Sequence, residues 1–509
     1  MRRKKQFVRS FTAGPFTGMS DSEGVAGAAT DRASLIQNCY RVPASAALSG
    51  RPGYIKHATG SGSLGQGIHQ FDTYAGANRT LFVYSGEIYE KTDWTIFTAT
   101  KVISTANLTA ASITLSATVR VATLTYTNKV LFSDGVNTPF LWDGTAGGGL
   151  TKLTNAPVFY GTPTVYYGKL FGIKNANRST FVWSEENDAT TGYEAGGFNN
   201  AWDFTQNDAE PLQVLLGTNE SLYVFRRSSI AAVYGAVDTD FETTGTRAGI
   251  SESIGTVSPW SVIYVRRTLF FLSAEGRPYI VRPGGEAEPI WQDLRDTIDA
   301  TVLPSNLVNA VTVNLASLHL VLFGYTISGN TYPSQYLVYD FSGDSPVAMA
   351  LWNGYSFGFA ATVYHTTLER PRLFFLHPTS GDAFLHGHEA MGASSVLNDD
   401  GAAITHIVRA QSLGGDPSAE FFFDRADWTF WRDPFAMTNT YDYITSRTAG
   451  SGSTAQAPGI KTVSHQALGI NAHARWIQPR VTHAVIGEGF GVEVVRVRGA
   501  LTTDAPSNL

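Results

Sequence analysis

The sequence predicts an all-β protein, a β-propeller of six or seven blades with a β-sandwich-like C-terminal domain. Three observations predict it. Helical periodicity is scarce. Apolar segments run mostly four to seven residues, are rich in aromatic and β-branched side chains, and end in Gly, Asn or Asp. One two-strand pattern then recurs along most of the chain.

That pattern is a Leu, usually followed by an aromatic, opening a short apolar strand, then a polar turn and a second apolar strand. It starts at Leu81, Leu131, Leu170, Leu222, Leu269, Leu318 and Leu373, at spacings of 50, 39, 52, 47, 49 and 55 residues. A four-stranded propeller blade takes about 40–50 residues. A lone hairpin cannot cover its own apolar face, whereas radial stacking buries each face against a neighbour. The Gly-His and Trp-Asp pair that marks each WD40 blade does not recur from blade to blade, and Ser133-Asp134-Gly135 is only a fragment of a sialidase Asp-box.

The remaining elements follow from local signals. Leu294, Ile298 and Val302 recur at four-residue spacing before Pro304 and predict one helix over residues 291–302. Residues 31–37 are expected to form a second, shorter helix. Residues 102–119 carry no charge and read as a long hairpin, the alternative being a hydroxyl-rich surface that meets a neighbouring copy. Beyond about residue 400 the repeat stops, but strand-like segments continue at 404–410, 420–431, 475–486 and 492–499. Residues 448–458, rich in Gly, Ser, Ala and Thr, read as a flexible loop. The expected organisation is an arm over 1–37, the propeller over 38–400 and a separate β domain over 401–509.

Composition narrows the functional classes. The 509 residues hold 37 Lys and Arg against 43 Asp and Glu, a formal charge of −6, and only 16% are charged, against about 25% in ordinary domains. Cys39 is the single cysteine, which excludes an intrachain disulfide framework and Cys-x-x-Cys zinc sites. No run of about 18 apolar residues is present, so no membrane-spanning helix is expected. Met1-Arg2-Arg3-Lys4-Lys5 resembles the basic region of a signal peptide, but residues 6–18 include Arg9 and several polar groups, so export by that route is not expected. A mildly acidic chain is a poor candidate for gripping nucleic acid over a broad surface.

Candidate chemical groups are few. His377, His386 and His388 with Glu389 lie close in sequence, but a metal would need a third ligand in proper geometry, and the bland reading is the polar end of a hairpin. Glu185, Glu186 and Asp188 could hold calcium or act as glycosidase carboxylates, yet adjacent carboxylates after a strand read first as a solvated turn. Arg226-Arg227 and Arg266-Arg267 each follow an aromatic strand, a spacing able to touch phosphate without forming a recognition module. No H-E-x-x-H or G-x-x-x-x-G-K-[ST] motif occurs. No enzyme, cofactor or metal is expected.

Several short motifs, taken in order, suggest a family. They are Gln37-Asn38-Cys39-Tyr40 with Leu48-Ser49-Gly50-Arg51-Pro52-Gly53-Tyr54, then Phe132-Ser133-Asp134-Gly135 with Trp142-Asp143-Gly144. Further on come Gly255-Thr256-Val257-Ser258-Pro259-Trp260-Ser261 with Phe271-Leu272-Ser273-Ala274-Glu275-Gly276. The last is Asn398-Asp399-Asp400-Gly401-Ala402-Ala403-Ile404, where the propeller is expected to close. Together, over roughly residues 38–500, they resemble the tail nozzle proteins of short-tailed bacteriophages, also called tail tubular or packaged-DNA-stabilising proteins, and the resemblance makes the Arg-Pro-Gly segment the lead into the first blade.

The resemblance implies a structural virion protein of the tail, made in the bacterial host cytoplasm and assembled as a ring, usually a homohexamer. Such a ring sits below the portal and head–tail adaptor, carries fibres or spikes at its periphery, and continues the channel that retains double-stranded DNA and passes it during ejection. No catalytic residue comes with the family. Physically, each Lys- or Arg-phosphate contact adds affinity by counterion release, so a passage for DNA is expected to be acidic or neutral and rich in hydroxyls. The basic start, Arg2 to Lys5, reads as a solvated tail or an assembly contact. The rival readings are a propeller hydrolase acting on glycans, with paired carboxylates at the pore, and a carbohydrate-binding adhesion propeller.

Overall fold

The computed structural model describes residues 8–21, 32–41, 48–60, 62–72, 78–91, 99–194, 200–204, 210–235, 237, 241–327, 330–343, 345–365, 370–387, 398–400, 402–413, 421–429, 439–445, 465–474, 476–484, 491–492 and 494–501. Antiparallel four-strand units follow one another from residue 65 onward. Blades 1 to 6 open with the strands Gly65–Asp72, Ala122–Tyr126, Phe159–Tyr166, Leu212–Gly217, Val262–Val265 and Val311–Leu315, each pairing outward in sequence order. Blade 7 contains Phe359–His365, Arg370–Leu376 and Ala383–His386, and its fourth strand is Tyr54–Ala58. The protein is therefore a seven-bladed propeller.

The recurring leucines have one structural meaning. Leu81, Leu131, Leu170, Leu222, Leu269 and Leu373 lie in the second strand of their blades, and Leu318 sits two residues ahead of its strand, Leu320–Tyr325. All seven are buried between sheets. Apolar clusters fill the spaces between successive blades. Val83 and Ile88 pack with Val130 and Trp142, Leu131 with Val182, and Phe171 with Leu215 and Val224. Phe225 packs with Phe271, and Phe270 with Leu320. The circle closes where Phe82 and Tyr84 of blade 1 meet Phe374 and Leu385 of blade 7.

Closure differs from the expectation. The strand Tyr54–Ala58 seals the ring, antiparallel to Ala383–His386, so the Arg-Pro-Gly segment leads into the last blade rather than the first. Asn398–Asp399 is a two-residue strand added outside it, in parallel register at Tyr54. A non-local pair of this kind satisfies the edge of the last blade with backbone from the start of the propeller, which leaves no trace in local periodicity.

The chain ends are also differently placed. Val8–Ala13 pairs with Val494–Leu501, which continues through Phe421–Thr429 to His465–Ala474. Arg32–Gln37, expected as a helix within an arm, is a strand between His406–Ala410 and the blade 6 strand Val347–Asn353. Its sheet runs on through Ile477–His483 to Asn439–Thr445. The two sheets share a core containing Phe16, Met19, Ile36, Val408, Trp428, Val481 and Val497. The C-terminal sandwich is thus built from both ends of the chain and is joined edge-on to blade 6.

Two further segments complete the comparison with sequence. The predicted helix is Arg295–Thr301, preceded by a 3-10 turn over Gln292–Leu294, with Leu294 and Ile298 buried. Residues 102–119 do not form a hairpin. They contain the helix Thr105–Ala110, started by Ser104 and Asn107 in a reciprocal capping box, with Leu108 and Ile113 packed between blades 1 and 2. The 448–458 loop lies outside the described residues.

Close blade packing constrains single positions. At Gly217, in the first strand of blade 4, an added Cβ would lie 2.1 Å from the Val165 carbonyl oxygen of blade 3. Gly217→Ala is expected to lower unfolding free energy by about 1–3 kcal/mol in urea titrations, because rigid backbone must move. An unchanged midpoint would contradict this inter-blade contact.

Candidate functional site

Three of the motifs singled out in sequence meet in one buried junction. Asn38, in left-handed backbone (φ 54), donates its Nδ2 to Asn353 Oδ1 (2.7 Å) and to the Thr405 carbonyl (2.9 Å). Its Oδ1 accepts from Arg51 Nε (3.0 Å) and from the Asn353 amide (2.8 Å). Its carbonyl accepts from the Arg51 amide and from His406 Nδ1, both at 2.7 Å. One asparagine thereby ties the propeller entry, blade 6 and the start of the sandwich.

Arg51 is 1% exposed and spends all five N–H groups. Besides Nε, its Nη1 reaches the Pro52 carbonyl (3.2 Å) and Asp399 Oδ1 (2.9 Å), and its Nη2 reaches the Asn353 carbonyl (2.8 Å) and Asp399 Oδ2. The guanidinium also lies 4.6 Å from the Tyr355 ring centre. Burial lifts the Asp399 carboxyl above its ordinary value, and the Arg51 charge opposes that lift. Burial is the leading cause of the drop of His406 to about 3, with the Asn38 carbonyl opposing it and His483 and Arg51 adding to it. Tyr54 is pushed up to about 12, first by burial and then by Asp399.

The surrounding motif residues serve the same junction. A Cβ at Gly50 would meet the His406 ring at 2.7 Å, and Gly354 (φ +95) leaves room beside Asp399 and Arg51. Tyr54 packs edge-on against Phe375 and Phe384, each at 5.1 Å. Trp352 donates its indole N–H to the Cys39 carbonyl at 2.7 Å. What this arrangement does chemically is hold three parts of the fold in register.

The predicted chemical candidates fall elsewhere. His386 is buried and stacks on Trp352 at 5.7 Å, whereas His377 lies at the turn of the same hairpin, at its opposite end. His377 Nδ1 accepts from the Thr379 hydroxyl at 3.1 Å, and burial lowers its pKa against the pull of Asp382. His388 and Glu389 lie outside the described residues, as do Arg2 to Lys5. Among the described residues no three His, Cys, Asp or Glu side chains group as metal ligands.

Glu185, Glu186 and Asp188 surround a hairpin turn at Asn187 (φ 56). Glu185 accepts from Asn200 Nδ2 (2.7 Å), and Asp188 accepts from the Thr190 and Thr191 hydroxyls. The Thr190 hydroxyl is the leading cause that holds the Asp188 carboxyl below its ordinary value. Arg266 and Arg267 form a two-residue hairpin turn, both left-handed (φ 48 and 64). They clasp adjacent blades, Arg266 to His319 Nδ1 at 2.8 Å and Arg267 to Glu220. Arg226 is buried and donates to the Phe204 carbonyl, while Arg227 is exposed.

One cavity carries no sequence motif. Five of the seven blades surround a cavity of about 150 Å³ near the propeller axis, lined by Arg120, Thr162, Trp260, Val313, Phe359 and their neighbours. Arg120 is the first charge after Lys101, at the end of the uncharged segment, and that contrast was the available signal.

Two measurements test the junction. Arg51→Met is expected to cost about 3–5 kcal/mol by leaving Asp399 buried and unpaired, and Arg51→Met with Asp399→Leu is expected to recover much of it. Equal losses in both would contradict a paired charge. His406 is neutral in the fold, so protonation favours the unfolded chain. Its contribution is complete above about pH 6.5 and is lost as pH falls toward its folded value, at up to about 1.4 kcal/mol per pH unit. His406→Gln is expected to flatten that part of the stability–pH profile.

No protein-family model matches the chain, and no curated protein matches it in sequence. Solved structures do. The extracellular domain of the hybrid two-component system BT4673 of B. thetaiotaomicron is 9% identical with TM-score 0.40, covering 75% of this chain and 43% of that one. YCF48 bound to D1 peptide is 10% identical with TM-score 0.33, over 62% and 94%. The Cps50 (Swd1) β-propeller domain of Myceliophteria thermophila is 11% identical with TM-score 0.29, over 52% and 95%. The chain thus spans less than half the length of the first of these structures. These likenesses concern architecture alone, and the seven blades rest on their own strand pairings.

Proposed function

We propose that this chain is the subunit of a ring-shaped tail nozzle of a short-tailed bacteriophage, a structural protein that retains packaged DNA and lets it pass during ejection. The observation that carries the reading is the convergence of its family-like motifs. Residues 37–40, 48–54 and 398–404 are distant in sequence, yet they meet around Asn38, Arg51 and Asp399. The sequence resemblance therefore falls on residues that hold propeller and sandwich together, the property a pressure-bearing ring subunit needs.

The reading also specifies where DNA would run. A cavity of about 150 Å³ near the propeller axis has no room for a duplex whose major groove alone is about 12 Å wide. The passage would be the hole between copies in a closed ring, with the portal and adaptor on one side and fibres or spikes at the rim. Low charge suits wide contacts between copies, because charged residues are depleted at interface cores.

Light scattering on the purified chain, alone and with a portal–adaptor complex, tests this proposal. A closed ring of about six copies with a hollow centre in negative-stain images is expected. A chain that stays monomeric in both conditions, or that hydrolyses host polysaccharide, would contradict it.

A further inference from the structure

Arg120 is 8% exposed and stands in the axial cavity under conditions unlike those of Arg51. Its Nε donates to the Gly358 carbonyl at 2.6 Å and its Nη2 to the Asn309 carbonyl at 3.1 Å. Both acceptors are neutral. The ring centres of Tyr332 and Trp260 lie 5.4 and 5.7 Å from the guanidinium carbon. Its Nη1 is buried without a hydrogen-bond partner. Among the described residues no carboxylate forms an ion pair with it, and only Tyr332 and Tyr336 act on it electrostatically. Burial lowers its pKa to about 10, which leaves it a cation at neutral pH. Arg120 thus lines the cavity as a buried cation with an idle donor and no counter-ion, a site that lacks its anion.

The rest of the lining selects the kind of anion. The hydroxyls of Thr123, Thr162 and Thr312 donate to the carbonyls of Ile68, Pro259 and Ser261 at 3.3, 3.4 and 2.7 Å. Their protons are committed to these carbonyls, so they offer none to an anion. Trp260, Val262, Val311, Val313, Phe359 and Ala360 supply apolar surface. A phosphate needs several donors around it, and among the side chains here only the Arg120 guanidinium and the Trp260 indole carry N–H groups. A carboxylate with a short apolar body matches one guanidinium edge and an apolar wall.

We propose that the axial cavity of the propeller binds a small organic carboxylate, its acid group on Arg120 and its apolar body against Trp260, Val313 and Phe359. This site is independent of ring assembly. Isobutyrate, isobutyramide and inorganic phosphate, added at constant ionic strength to the full-length protein, are the probes, with thermal unfolding and calorimetry as readouts. Isobutyrate is expected to raise the midpoint with dose while isobutyramide leaves it unchanged. Arg120→Met is expected to weaken isobutyrate binding by about tenfold or more. Ala360→Leu, which keeps the cation but fills the cavity, is expected to abolish the response and serves if the Arg120 variant does not fold. Equal responses to acid and amide, an undiminished response in either variant, or phosphate binding as strong as isobutyrate binding would overturn the assignment.

Discussion

A guanidinium taken wholly out of water requires an acceptor for every N–H and a charge to face, and Arg51 has both. Meeting that demand brings together segments that local structure would leave apart: the propeller entry, the last strand of blade 6, the strand beside the closing strand and the lead into the sandwich. A buried ion pair of this kind adds little net stability compared with a hydrophobic substitute. Its effect is on specificity, since any arrangement that separates Arg51 from Asp399 strands two charges in the interior. Closure of the ring and attachment of the sandwich are in this way one event.

The propeller and the junction rest on different physics. Between blades, non-directional apolar contact does the work, with pairs such as Phe225 and Phe271 or Phe82 and Phe374 repeating a single solution around the circle. That solution fixes neither the blade at which the chain closes nor the place where the two ends go. Directional hydrogen bonds from Asn38, and the left-handed backbone that lets it face three elements, supply this information. The hairpin turns add local clasps, as where Arg266 and Arg267 reach the blades on either side.

Much of the propeller was legible because its signal is local and repeated. The seven leucine anchors track the second strand of seven blades, and the Leu294–Ile298 spacing marks a real helix. Arg32–Gln37 is a strand rather than the expected helix because pairing with His406–Ala410 and blade 6 overrides its weak helical tendency. The closing strand Tyr54–Ala58 was hidden for the same reason, its partner lying at the other end of the propeller. Arg51 stands within the Arg-Pro-Gly motif, but only the fold reveals that it is buried opposite Asp399. Arg120 carried a contrast in charge and no motif. The acidic cluster at 185–188 and the histidine pair were visible as residue types, and their hydrogen bonds and stacking place them in turns and packing.

Native-state hydrogen exchange tests most directly whether the junction makes propeller closure and sandwich a single cooperative block. Amides of Tyr54–Ala58, His406–Ala410 and Ile477–His483 are expected to open with one common free energy and to fall together in Asn38→Ala. Sandwich amides that exchange through a separate, lower-energy opening while Tyr54–Ala58 stays protected would contradict the account.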